Sequence, residues 1–470
     1  MYAIFYDLET TDRNPIGQIL NYSFVMVDDD LRPIDEISGL IKISRLQLPE
    51  AGAILANRTN VLEHQRIASD HERDAMRRIE AFLSACIQRA RGAVAFVGYN
   101  SSRFDLPYLR TSLVRNGFNP YFGGKLSPHD LLHACQKAYL ISAPFRALIK
   151  EQRKGEKKLS LSLQTVGKAL GLLDGTQAHE SREDVMLTIK VAAWLKRECG
   201  IDVATYEPYE GLKLHSTARS GAVYMMEEPE YDITLDTHLA TTPMTLLAND
   251  NKRALWINLE RYSVKQDPSA ISWRSAQKSA FFISDQALQL SDVQALARAA
   301  IKQFSAITLS NFFSTTTCDI EQFIYRMDFQ CMDLLSRAIR ENKRELLASL
   351  KEPEAKVLFT RYRLSSPELD LSEPASADML RRYALHRYGA KLQMARTIRE
   401  EGAEGNYHTT LGQMVQALQQ NRDAALLQGN TDDIALLDAL EGFYRGSELV
   451  RVAGGELLPT WRSGAGSATL

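Results

Sequence analysis

The sequence predicts an α/β protein: a mixed sheet with helices packed on it, then a small β-rich domain, then an α-helical C-terminal domain. Three observations predict it. Residues 2–8, 20–28 and 34–43 are rich in aromatic and aliphatic types with a weak alternation, the mark of strands. From residue 72 apolar residues recur at helical spacing, and helical and strand-like segments then alternate. Beyond about residue 200 the content changes in kind, first to β-like and from about residue 355 to helical.

The first three strands form a meander, with Asp28-Asp29-Asp30 as turn material between the second and third. Ala75, Ile79, Phe82, Leu83 and Cys86 define the apolar face of a helix, and Ala93-Val94-Ala95-Phe96-Val97 returns to strand. Further helices are expected at 103–116, 129–140, 161–171 and 182–197. Residues 200–211 lose the helical period and carry Pro208, which marks a linker. Residues 245–248 and 254–259 read as strands around the turn Asn249-Asp250-Asn251, with helices after about residue 285. Long helices are expected at 376–402, 408–427 and 431–447, after a loop from Ser365 to Pro374. The divisions are therefore 1–199, 200–352 and 353–455, with 456–470 a disordered tail.

A chain of 470 residues exceeds what one hydrophobic core organises. Its 45% hydrophobic and 24% charged residues exclude a disordered chain, and no run approaches the roughly 18 apolar residues of a membrane span. Met1 to Tyr6 lacks a basic leader, so a cytoplasmic protein is expected. Five scattered cysteines with no Cys-x-x-Cys spacing indicate neither a disulfide framework nor structural zinc. A net charge of −2 confines any nucleic-acid binding to local patches.

Asp7-Leu8-Glu9 ends the first strand, and residues two apart on a strand project to one face, so both carboxylates can reach one metal. Asp-x-Glu recurs at Asp70 to Glu72 and Asp319 to Glu321, so the pair alone is commonplace. Val97 to Asp105 forms a second element: a strand ends at Gly98, turns through Asn100 and Ser101, and enters a helix at Asp105. Asp105 also suits the first turn of a helix for purely local reasons. The third element is His179 with Asp184, five residues on. In one helix they would stand about 140° apart, at roughly 100° per residue. Ser181-x-x-Asp184 reads as a capping box, which starts the helix near Ser181 and leaves His179 on the preceding loop. None of the other eight histidines has an aspartate at that spacing.

These three elements, in this order, resemble the DEDD exonuclease superfamily in its histidine subtype. Within it, Gly98-Tyr99-Asn100, Arg103-Phe104-Asp105, Ala178-His179 and an extension holding Leu358-Phe359-Thr360-Arg361-Tyr362-Arg363 most resemble the bacterial exonuclease I family. Two departures stand out: Leu8 replaces the aromatic often found between the first Asp and Glu, and Leu159 to Leu163 lacks an arginine near Ser162. The resemblance implies an RNase H-like domain, an SH3-like domain and a helical domain. It also implies a 3′-to-5′ exodeoxyribonuclease that degrades single-stranded DNA to 5′-mononucleotides in DNA repair or recombination.

Four carboxylates suit hard cations, so two Mg²⁺ ions are expected, with Mn²⁺ able to substitute. By the family pattern Asp7 bridges both, Glu9 and Asp184 hold the one carrying the attacking water, and Asp105 serves the second. Two such ions about 4 Å apart stabilise both attacking and leaving oxygens. His179 is the expected general base. Thr10, Tyr99, Asn100, Arg103, Phe104 and Tyr108, with Tyr121 nearby, are the expected grip on the terminal nucleotides. The basic stretch Arg146, Lys150, Arg153, Lys154, Lys157 and Lys158 reads either as a DNA track or as a solvated loop. Arg361-Tyr362-Arg363 and Arg381-Arg382-Tyr383 are candidates to close a channel. His129 and His133 flank Asp130 at a zinc-compatible spacing without a third ligand, and read better as a satisfied helix start.

A monomer is expected, with single-stranded DNA and a single-stranded-DNA-binding protein as partners. A 3′-to-5′ exoribonuclease of the same superfamily is the nearest alternative, because the metal site reads phosphate and not sugar. A non-catalytic single-strand-binding module is the alternative from another class, and five intact motif residues argue against it.

Overall fold

The computed structural model describes residues 2–13, 17–102, 104–175, 180–205, 218–249, 253–275, 282–287, 291–316, 329–350, 353–389 and 409–457. The expected meander forms as β1 (Ala3–Thr10), β2 (Ile19–Val27) and β3 (Pro33–Leu40). Helices α1 (Ala51–Ala56), α2 (Val61–Ile67) and α3 (Glu72–Ala90) lead to β4 (Val94–Gly98). Then follow α4 (Asp105–Arg115), β5 (Leu126–Asp130), α5 (Leu131–Ile141), α6 (Ala143–Gln152), α7 (Leu163–Ala169) and α8 (Ser181–Cys199).

These strands make one sheet in the order β3-β2-β1-β4-β5. β1 runs antiparallel to β2 and parallel to β4, which is parallel to β5. This is the RNase H-like arrangement. Central β4, and β1 as far as Tyr6, are apolar on both faces because each face carries a helical layer. Ile4, Tyr6 and Leu8 pack against α3 and α4, and the stacked rings of Tyr6, Phe24 and Phe96 fill that layer. Ala3 and Phe5 pack on the opposite face against α5, α7 and α8. Edge strand β3 is largely exposed, in keeping with its Asp35 and Glu36.

A second sheet, antiparallel and ordered β10-β6-β7-β8-β9, comprises β6 (Val223–Pro229), β7 (Leu239–Asn249), β8 (Arg253–Asn258), β9 (Ile271–Ser275) and β10 (Phe282–Ala287). Helices α9 (Leu259–Lys265), α10 (Ser291–Gln303) and α11 (Leu309–Thr316) cover the face bearing Leu247, Leu255 and Ile257. The chain continues as α12 (Phe329–Glu341), α13 (Pro353–Ser365), α14 (Pro374–Tyr388), α15 (Leu411–Gln428), α16 (Thr431–Gly446) and α17 (Glu448–Leu457).

Two packing facts modify the sequence reading. Met332, Leu335 and Ile339 of α12 share a core with Leu358, Phe359 and Tyr362 of α13 and with Val114 of α4, so α12 packs with the helices and not with the second sheet that precedes it. Ala51, Ile54 and Val61 of α1 and α2 lie in one core with Leu437, Leu440 and Tyr444 of α16, so the helical region clasps the segment that follows the first sheet's meander. No helix among the described residues is long and apolar enough to cross a membrane.

Candidate active site

In a sheet of this kind ligands collect beyond the carboxyl ends of the parallel strands. β1 carries Asp7 and Glu9 there, on the same face as Ala3 and Phe5, the face that α8 covers. α8 turns Asp184 toward them from its first turn, one turn ahead of buried Thr188 and in line with the residues that pack on the sheet. Single carboxylate oxygens of Asp7, Glu9 and Asp184 lie within 4.8 Å of one another. Asp105 enters from α4 and is 4% exposed.

The helix of Asp184 begins where the sequence places it, but not by the expected capping box. Glu180 is the N-cap, no side chain caps the helix, and Ser181 is already its first residue. Asp184 is therefore not spent on capping. His179 and Arg103 lie outside the described residues.

The turn that delivers Asp105 is built around a second buried acid. Asp130, at the end of β5, is fully buried and caps α5 by accepting from the Leu132 amide at 3.1 Å. Its carboxylate also accepts from the amides of Asn100 (2.7 Å) and Ser102 (3.0 Å) and from the Ser102 hydroxyl (2.8 Å). Asn100 sits at φ 57°, a left-handed conformation asparagine tolerates. Gly98 is required because a Cβ there would lie 2.4 Å from the Ser101 Cβ. His133 stands 4.0 Å from Asp130 and His129 bonds Ser127, so this trio is structural, as its spacing indicates. Asp130→Ala would strand the three amides of the turn and helix start. It is expected to cost about 2–5 kcal/mol, read as a lower urea midpoint for the first unfolding transition.

Burial and mutual repulsion govern the titration of Asp7 and Glu9 in the cluster. Burial pushes the Asp7 carboxyl well above the usual range, reinforced by Asp105, Glu9 and Asp184. Glu9 is pushed up to about 8 by burial, then by Asp184 and Asp105. Burial raises Asp105 to about 7, its own and the Leu8 backbone amides pulling it back while Asp130 adds to the rise. Among the described residues, every charged group that shifts Asp7 or Glu9 is another carboxylate. An all-oxygen, anionic, half-enclosed donor set fits a hard divalent cation.

The other expected contacts separate into two groups. Asn100 is exposed, and Phe104 and Tyr99 are half-buried in the segment that leads into α4, with the Tyr99 hydroxyl donating to the Leu161 carbonyl. Tyr108 does not fit the grip expected of it: its ring is fully buried and its hydroxyl donates to Asp12. Thr10 is 3% exposed and donates its hydroxyl to the Asp12 carbonyl.

Most of the basic stretch is engaged locally. Arg146 donates to the carbonyls of Tyr139 and Leu140, Arg153 pairs with Glu156, Lys154 with Glu151, and Lys157 with Asp232. Arg361 is buried over the Tyr383 ring, Tyr362 is buried, and Arg381 and Arg382 both pair with Asp378. Sequence reasoning missed Asp12 and the reach of Asp130; the Asp130 N-cap position was the one signal available.

Fold and site together define an RNase H-like sheet with a cluster of carboxylates at its carboxyl edge whose oxygens lie close enough to share a cation. No family model and no curated protein matches the sequence. Solved structures do. E. coli Exonuclease I in complex with a dT13 oligonucleotide matches 95% of this chain and 99% of its own, at 16% identity and a TM-score of 0.66. The moderately thermophilic Exonuclease I from Methylocaldum szegediense matches 96% and 99%, at 17% identity and 0.61. The zinc-bound E. coli ExoI–ssDNA complex matches 96% and 99%, at 14% identity and 0.56. The likeness covers 95–96% of this chain, which therefore has the fold of Exonuclease I.

Proposed function

We propose that this protein is a metal-dependent 3′-to-5′ exodeoxyribonuclease acting on single-stranded DNA. The observation that carries the reading is the convergence of Asp7, Glu9 and Asp184, with Asp105 beside them, at the carboxyl edge of a sheet whose whole-chain likeness is to Exonuclease I. The four carboxylates would hold two divalent ions, Mg²⁺ with Mn²⁺ as substitute, which supply Lewis-acid stabilisation of the attacking and leaving oxygens.

The chain's own residues do the rest. Asp7 and Glu9, fixed by the β1 ladder opposite Ser23 and Asn21, present their oxygens from a rigid strand. His179 takes the proton of the attacking water as general base. Asn100, Phe104 and Tyr99 lie on or beside the turn that bears Asp105 and, together with Arg103, hold the terminal nucleotides by stacking and phosphate contact.

The test is a substrate panel: full-length protein with Mg²⁺ on single-stranded DNA, duplex DNA and RNA, each labelled at either end. Stepwise shortening from the 3′ end of single-stranded DNA, with release of 5′-mononucleotides, is expected. Preferential degradation of RNA would instead favour the exoribonuclease alternative, and no degradation of any strand would favour a binding module.

A further inference from the structure

We propose that Tyr108 and Asp12 form a latch that holds the strand bearing Glu9 and the helix bearing Asp105 at the separation the cation site needs. The inference rests on the metal-site reading above and deepens it by naming positioning residues outside the ligand set.

Asp12 follows Glu9 by three residues, and Tyr108 follows Asp105 by three, close to one helical turn. Each latch partner is thus the near neighbour of one carboxylate. The Tyr108 hydroxyl lies 2.6 Å from Asp12 Oδ1 and 2.5 Å from the Asp12 carbonyl oxygen. Tyr108 is fully buried and Asp12 is 3% exposed, so neither reaches a substrate.

The latch sits where the sheet stops doing this job. The β1–β2 register shifts between Glu9 and Thr10, so the regular ladder ends at the second carboxylate. Beyond it, side chains take over: the Thr10 hydroxyl donates to the Asp12 carbonyl at 2.8 Å, and the Gln18 amide donates to the Thr11 hydroxyl at 2.9 Å. Asp12 packs so tightly over Gly17 that a Cβ on Gly17 would lie 2.4 Å from both of its carboxylate oxygens. The far end of α4 grips the same loop, Arg115 Nη2 donating to the Gly17 carbonyl at 2.9 Å while its guanidinium pairs with Glu72. α4 is therefore tied at both ends to the segment leaving β1. Such a tie matters because the carboxylates on β1 and α4 repel one another once they ionise without a cation between them.

The test compares wild type, Tyr108→Phe, which keeps the ring and removes the hydroxyl, and Leu113→Ala, which weakens the same helix's core without touching the latch. Mn²⁺ binding to the full-length protein is followed by electron paramagnetic resonance, alongside kcat and KM on single-stranded DNA. Tyr108→Phe is expected to raise the Mn²⁺ half-saturation concentration about 10-fold or more and to lower kcat with KM retained. Leu113→Ala is expected to lower thermal stability with Mn²⁺ half-saturation unchanged. A Tyr108→Phe protein whose half-saturation equals that of wild type or of Leu113→Ala would overturn the latch alone. A wild type that binds no Mn²⁺ would overturn the metal-site reading and the latch with it.

Discussion

Replacing Asp7 or Asp184 with alanine is expected to lower kcat/KM on single-stranded DNA by about 10³-fold or more, equivalent to roughly 4 kcal/mol of transition-state stabilisation. Asp7 stands at the centre of the cluster, shifted by Glu9, Asp105 and Asp184 together, so its loss removes the donor the others are arranged around. Asp184 supplies the donor from α8, the opposite side. Asp7→Ala also removes an acid whose charged form is disfavoured by burial and by its neighbours, so its melting temperature without metal should hold or rise. That combination separates loss of a ligand from loss of the fold. A variant with wild-type turnover would remove its carboxylate from the site, and one that melted early would point to a structural role instead.

The second large effect is a metal-dependent reversal of the pH profile of stability. In the unfolded chain Glu9 and Asp105 titrate near their ordinary values of 4.5 and 3.8, whereas in the folded protein burial and neighbouring carboxylates raise them to about 8 and about 7. Between roughly pH 4 and pH 8 the native state therefore holds protons that the unfolded chain has released. Stability falls as pH rises through that window, by on the order of a few kcal/mol. Divalent cations replace those protons, so their stabilising effect grows with pH. Thermal melts with EDTA should show a lower first midpoint at pH 8 than at pH 5.5. With millimolar Mg²⁺ the pH 8 midpoint should recover by several degrees, more than at pH 5.5. Equal shifts at both pH values would mean that the acids are already ionised without the metal.

What was legible in the sequence was what local pattern encodes. β1, β2 and β3 fall within a few residues of their expected bounds because apolar runs and the Asp28 to Asp30 turn define them. α3 and α8 carry complete apolar faces over 19 residues each, and both were readable. α1 and α2 were not, because they are short and bury Ala51, Ile54 and Val61 against helices nearly 400 residues later in the chain. β5 was hidden by Leu126-Ser127-Pro128-His129-Asp130, a run that reads as a turn; as an edge strand it tolerates Pro128.

The carboxylates of the site were legible because chemistry fixes their types and local structure fixes their spacing. The contacts that aim them were not. Asp130 reaches back 30 residues to the Asn100 amide, and Tyr108 reaches back 96 residues to Asp12. Neither link leaves a trace in periodicity. Of the two readings open for the basic stretch, the local pairing of Arg146, Arg153, Lys154 and Lys157 with backbone carbonyls, Glu156, Glu151 and Asp232 favours the solvated loop.

The central claim is that Asp7, Glu9, Asp105 and Asp184 form a divalent-cation centre, and anomalous scattering from crystals grown with Mn²⁺ tests it most directly. Manganese peaks bounded by these four carboxylates, lost in Asp7→Ala crystals, are expected. Crystals of active protein with manganese bound elsewhere, or with this cluster empty at saturating Mn²⁺, would contradict it.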